Sequence, residues 1–121
     1  MTPFGAKIRQ LRAERGISLK AMAQALGVSA AYLSALEHGH RGKPTWSLVQ
    51  HITAFFNVIW DEADELTHLA QISDPRITLD TAGLSPRATT FANRLAREIG
   101  DLDEMEVAAL VAVLDGRRRR P

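Results

Sequence analysis

The chain contains no cysteine, which removes disulfides and thiolate metal sites and fits a protein that works in a reducing cytoplasm. It has no long apolar run either. The longest, Val107 to Leu114, falls far short of the roughly 20 residues that a membrane-spanning helix needs. The first residues lack the succession of basic, apolar and small residues that makes a signal peptide, so neither a membrane span nor export is expected. Catalytic constellations are missing as well: there is no Ser/His/Asp set, no paired-carboxylate site and no phosphate-binding glycine loop. His38 and His40 stand two residues apart without a carboxylate or further ligand at a metal-binding spacing. No metal, no cofactor and no enzymatic chemistry are therefore expected.

What is present is a chain of 121 residues, 45% hydrophobic and 24% charged. That suffices for one compact domain with an appendage, but not for two large cores. The net charge of +1 conceals a sorting of charge along the chain. Residues 1–57 hold seven Lys or Arg against two acids, whereas residues 58–75 hold five acids and no base. Residues 76–116 hold four bases and seven acids, and Arg117 to Arg120 form a basic run. A basic module followed by acidic neighbours points to a polyanionic partner for the first segment.

Helical spacing of apolar residues predicts the elements. Phe4, Ile8 and Leu11 line a first helix that stops at Gly16. Ser18 caps a second, which buries Met22, Ala23 and Leu26 and ends at Gly27, a residue suited to a left-handed turn position. Ser29 then opens a third helix with Leu33 and Leu36 inward, ending at Gly39. A polar loop, His40 to Pro44, leads to a fourth helix from about Ser47, with Leu48, Ile52, Phe55 and Phe56 as its buried face. A fifth runs from about Trp60 to Gln71. After the break at Asp74-Pro75, alternation of Ile77 and Leu79 predicts a short strand over Arg76 to Asp80. Ser85-Pro86 starts a sixth helix with Phe91, Leu95 and Ile99 on one side, and a last helix spans about Asp103 to Leu114.

Short helices whose second and third members are joined by a tight turn form the arrangement that lays one helix in the DNA major groove. The stretch Ile17 to Ser29, followed by Tyr32-Leu33-Ser34, Leu36-Glu37 and Gly39, with Ala23, the Gly27-Val28-Ser29 turn and Arg12 upstream, resembles the lambda-repressor-like (Cro/XRE) family. The resemblance covers about Phe4 to Leu66. It implies a five-helix DNA-binding domain, placed over residues 1–74; with the short strand and two helices read from spacing over 75–116, a dimerisation segment, and a basic tail over 117–121, the protein is expected to be mainly all-α. It also implies an ion pair between Arg12 and Glu37. The residues independently favour that pair, because each charge projects beside the apolar face of its own helix and needs a partner.

On the third helix, the face opposite Leu33 and Leu36 carries Ala31, Ser34, Ala35 and His38, flanked by Ala30 and Tyr32. This face would meet the bases. Relatives of the resembled family often carry long polar side chains where this chain has Ala30, Ala31 and Ala35, so readout here leans on Ser34, Tyr32, His38 and DNA shape. Leu19 stands where many relatives place a glutamine for a phosphate contact. Lys20, Ser29, Arg41, Lys43 and Thr45, with the backbone amides at the start of the fourth helix, remain for the phosphates. The alternative is that the alanine-rich face and the scaffold serve a protein partner, as in the antitoxin half of a toxin pair.

One reading helix covers few base pairs, so a homodimer on double-stranded DNA, acting as a repressor on a palindromic operator, is the expected working form. The lone strand at Ile77 and Leu79, with Phe91, Leu95, Ile99, Leu110 and Leu114 on the last two helices, would supply the dimer contact. The arginine tail is either a DNA-backbone arm or a solvated end.

Overall fold

Hydroxyl side chains set where most of the helices begin. Thr2, Ser18, Ser29, Thr45 and Ser85 each adopt extended backbone and accept a hydrogen bond from the amide three residues on, an interaction worth about 1 kcal/mol per helix end. The helices that follow are α1 (Pro3–Arg15), α2 (Leu19–Leu26), α3 (Ala30–Glu37), α4 (Trp46–Phe56) and, after an extended Ile59, α5 (Trp60–Gln71). α6 (Pro86–Glu98) runs into a 3-10 turn, Ile99–Asp101, and α7 (Glu104–Arg118) closes the sequence of elements. α7 opens on a reciprocal cap: Asp103 accepts from the Glu106 amide at 2.7 Å and Glu106 from the Asp103 amide at 3.0 Å. This computed structural model describes residues 1–118. Arg119 and Arg120 of the basic run lie outside the described residues. No helix among them is long and apolar enough to cross a membrane.

The chain divides into two units, Met1–Ile77 and a second beginning at Thr78. In the first, α1 packs on α3 and α5, α2 on α3 and α4, and α4 on α5. Phe4, Ile8, Leu11, Met22, Leu33, Ile52 and Leu66 are completely buried between them. α4 turns its 49, 52, 56 stripe inward, so Val49 is buried, while Leu48 and Phe55, expected on the buried face, pack only partly against the core. Leu26 likewise lies at the core's edge. Ser73, buried at the end of the unit, accepts from the Phe4 amide at 2.9 Å and donates to the Leu69 carbonyl. One hydroxyl thereby joins the last turn of α5 to the first turn of α1. Lys7, 3.6 Å from Glu65 and 3.9 Å from Glu62, bridges the same two helices.

The expected strand over Arg76 to Asp80 does not form: among the described residues there is no strand, and Ile77 and Leu79 are exposed. A strand requires a neighbouring ladder. Here Asp74 and Asp80 instead accept hydrogen bonds from the amides of Arg76 and Ala82, local turns that compete with pairing. In the second unit, Arg94 donates twice to Glu98, at 2.8 and 3.1 Å. That hydrogen bond, and the charge behind it, hold the Glu98 carboxyl below its usual range. The pair's contribution to α6 is therefore present above the ordinary carboxylate pKa and fades as acid protonates Glu98.

Gly5, inside α1, lets that helix meet the end of α3. A Cβ there would lie inside van der Waals contact of the Glu37 carbonyl oxygen and Cα, both backbone atoms that cannot swing aside. Helix propensity alone favours alanine over glycine by about 1 kcal/mol, but the clash is the larger effect. Gly5→Ala is expected to destabilise the first unit by about 1–3 kcal/mol. Gly100→Ala, where a Cβ meets nothing within 4 Å, should change stability by no more than about 0.5 kcal/mol. Urea unfolding of both variants checks this, and a stabilised Gly5→Ala would show that α1 and α3 do not meet in this way.

Candidate nucleic-acid interface

Between α2 and α3 the chain turns in the space of Gly27, Val28 and Ser29. Gly27 takes φ 75° and ψ 26°, a left-handed conformation open to glycine at little cost, and its amide returns to the last turn of α2. The Val28 amide donates to the Ala23 carbonyl at 3.0 Å, and Ser29 then caps α3 through the Tyr32 amide. Two eight-residue helices are thus joined with no free loop, and α3 is held at a fixed angle on the surface of the unit.

The far end of α3 is fixed by Glu37, a buried acid whose side chain is 3% exposed. Its carboxylate oxygens accept from Nη2 of Arg12 at 3.0 and 2.9 Å, and the Arg12 side chain is itself 12% exposed. The Glu37 carbonyl accepts from the Thr2 amide at 3.0 Å. One residue therefore ties α3 to both the start and the last turn of α1. Nε of Arg12 is buried without a hydrogen-bond partner, and Glu37 is the carboxylate that neutralises that guanidinium.

With Leu33, Leu36 and Glu37 turned inward, the outward strip of α3 carries Ala31, Ser34, Ala35 and His38. Ala31 and His38 are exposed, Ser34 and Ala35 half-buried. Ala30 is half-buried and packs against the core, which places it off the open strip. Tyr32 is half-buried at the flank, with the Arg41 guanidinium 5.4 Å above its ring. Ring nitrogen Nδ1 of His38 lies 2.8 Å from the Ser34 carbonyl, and the ring stacks at 6.4 Å on that of His40. Lys20, Arg41, Lys43 and Thr45 are all exposed, on the start of α2, the loop and the cap of α4. Of these cations, Arg41 is the one whose position against α3 is fixed, over the Tyr32 ring; Lys43 lines a cleft with Trp46, Thr67 and Gln71. Among the described residues no cluster could hold a metal ion.

A family profile described as "Helix-turn-helix domain" matches residues 3–66. The chain belongs to this helix-turn-helix family. The chain is 33% identical over 61 residues to the Bacillus subtilis protein named "Uncharacterized HTH-type transcriptional regulator RghRB", covering 50% of this chain and 44% of that one. It is 37% identical over 115 residues to the "HTH-type transcriptional regulator RamB" of Mycobacterium tuberculosis, covering 95% of this chain and 21% of the relative. To the "HTH-type transcriptional regulator SinR" of Bacillus licheniformis it is 31% identical over 73 residues, 57% of this chain and 66% of the relative. The chain thus spans under half the length of the first two. No solved structure matches it.

Within this helix-turn-helix unit, sequence reasoning missed two residues. Gly5 carries no side-chain signal beyond its place near the start of a helix, and Ser73 acts across 69 positions in the chain. Glu37→Ala, which leaves Arg12 buried and unpaired, is expected to cost about 3–5 kcal/mol. Removing Arg12 as well should recover part of that loss. Denaturation of the two single variants and the double variant measures the coupling; simple addition of the single losses would show that the contact carries no joint energy.

Proposed function

We propose that this helix-turn-helix protein is a DNA-binding transcriptional regulator that lays α3 in the major groove and works as a homodimer on a palindromic operator, repressing by occlusion of the promoter. The observation that carries the reading is the outward strip of α3, fixed at both ends by the Ser29 cap and Glu37, with the Arg41 guanidinium over Tyr32 at its flank and exposed Lys20 and Lys43 on the neighbouring elements. Basic groups and the capped start of α4 at Thr45 supply phosphate contacts, which set affinity, and the strip approaches the base edges. The names of the relatives, each an HTH-type transcriptional regulator, support the same reading.

Size and burial support the homodimer. The second unit holds about 40 residues, a length at which a chain commonly needs an oligomer to stay folded, and none of its described residues is buried. Phe91, Ile99 and Leu114 are more than half exposed on it, and Leu95 and Leu110 lie beside them in a cleft with Phe91 and Leu102. A second copy covering this apolar surface would place two α3 helices on one duplex. The short strip also favours a second reading, an antitoxin-like role in which α3 meets a protein. Salt-titrated binding to duplex DNA separates the two, since only the first loses affinity steeply as salt rises.

Replacing Ala31 or Ala35 by Glu should abolish DNA binding with the fold intact, because the new carboxylate would face phosphates and base acceptors at close range. Unchanged affinity in either variant would remove α3 from the groove. Light scattering should report a dimer at micromolar concentration. Truncation after Ile77 should leave a monomer of much weaker DNA affinity, and the intact protein should protect half-sites about 10 base pairs apart or a multiple of that. A monomer on a single unrepeated site would overturn the dimer.

A further inference from the structure

From the placement of Arg41 over Tyr32, and on the footing that the protein binds DNA through α3, we infer that Arg41 is the chain's base reader and that it recognises a guanine edge. A helix that presents Ala31, Ala35 and Ser34 cannot form bidentate hydrogen bonds with bases, because none of these side chains carries two donors or acceptors at the needed reach. The long donor nearest the strip comes from outside the helix. Arg41 lies in the loop after α3, but its guanidinium is drawn back against the helix, 5.4 Å from the centre of the Tyr32 ring. Tyr32 sits on the flank of the outward strip, one residue from Ala31.

A ring beneath a guanidinium does two things. It attracts the cation through its negative face, and it removes much of the rotamer freedom that a four-torsion side chain would otherwise lose on binding. It does so without consuming an N–H donor. Three arginines are committed to carboxylates, Arg12 to Glu37, Arg94 to Glu98 and, more loosely, Arg15 to Glu14, whereas Arg41 is set apart from the other unpaired arginines by its place beside α3. Among the described residues Arg41 has no such partner, so its fork is available to a ligand. Two parallel N–H donors match O6 and N7 of guanine in the major groove, whereas a phosphate contact needs only charge, which Lys20 and Lys43 already supply. Gly42, at φ 74°, turns the chain between Arg41 and Lys43. The loop thereby separates the cation held on the ring from Lys43 beyond it.

The test is selection of bound sequences from a random duplex pool with the full chain and with Arg41→Lys, Arg41→Ala, Tyr32→Phe and Tyr32→Leu, followed by salt titration on the selected site. The native chain should select a guanine at one position of each half-site. Arg41→Lys and Arg41→Ala should lose that preference alone, with affinity for the guanine site falling about 5- to 150-fold and preferences elsewhere kept. Tyr32→Phe keeps the ring and should behave as native; Tyr32→Leu should weaken the same position. Because Lys keeps the charge, Arg41→Lys should leave the salt dependence unchanged. If Arg41→Ala instead weakens every sequence equally and lowers the salt slope by about one, Arg41 is a phosphate contact and the inference is overturned. It is equally overturned if the preference lost is for an A·T pair. Selection of no sequence by the native chain would bring down the DNA-reading function itself, and this inference with it; an unaltered site in the Arg41 variants would bring down the inference alone.

Discussion

Glu37 fixes the position of α3 relative to the rest of the first unit, and the exposed side of the molecule depends on it. Its carboxylate neutralises the buried Arg12 guanidinium, its carbonyl receives the Thr2 amide, and its backbone occupies the space left open by the missing side chain of Gly5. A buried ion pair is by itself weak evidence of stability, because desolvation offsets much of the attraction. Its value here is positional. An isolated eight-residue α3 would be marginal in water, yet the Gly27–Ser29 turn fixes its start and Glu37 its end. Its outward strip thereby becomes a rigid surface.

That rigidity bears on recognition by such short side chains. Alanines on a mobile helix would discriminate little, since each offers only a methyl contact with thymine. On a fixed helix the same alanines would, in the proposed reading, allow close approach and leave selection to Ser34 and His38 on the strip and to the Arg41 guanidinium held on Tyr32. The phosphate contacts from Lys20, Lys43 and the α4 cap would then set the register in which those groups meet the bases.

The local features of this arrangement were legible in the sequence. Caps at Ser18, Ser29 and Ser85, the stops at Gly16 and Gly27, and the inward stripes of α1 and α3 depend on residues within one helical turn of one another. The pairing of Arg12 with Glu37 was readable too, because each charge borders an apolar stripe. What escaped is what tertiary contact decides. The inward choice of Val49 over Leu48 depends on how α4 lies on α5, and the service of Ser73 to Phe4 joins opposite ends of the unit. The cation–π contact of Arg41 crosses from loop to helix. The alternation at Ile77 and Leu79 looked like a strand, but alternation fixes only which way side chains point, and a ladder needs a neighbour.

The central claim, that α3 and its rim are the DNA-contacting surface, is tested most directly by following backbone amide chemical shifts during titration with a selected duplex. The largest changes are expected on Ser29 to Ala35, on the loop from His38 to Lys43 and on the capped start of α4 at Thr45 to Ser47. Changes centred on α5, or confined to α6 and α7 with α3 untouched, would contradict it.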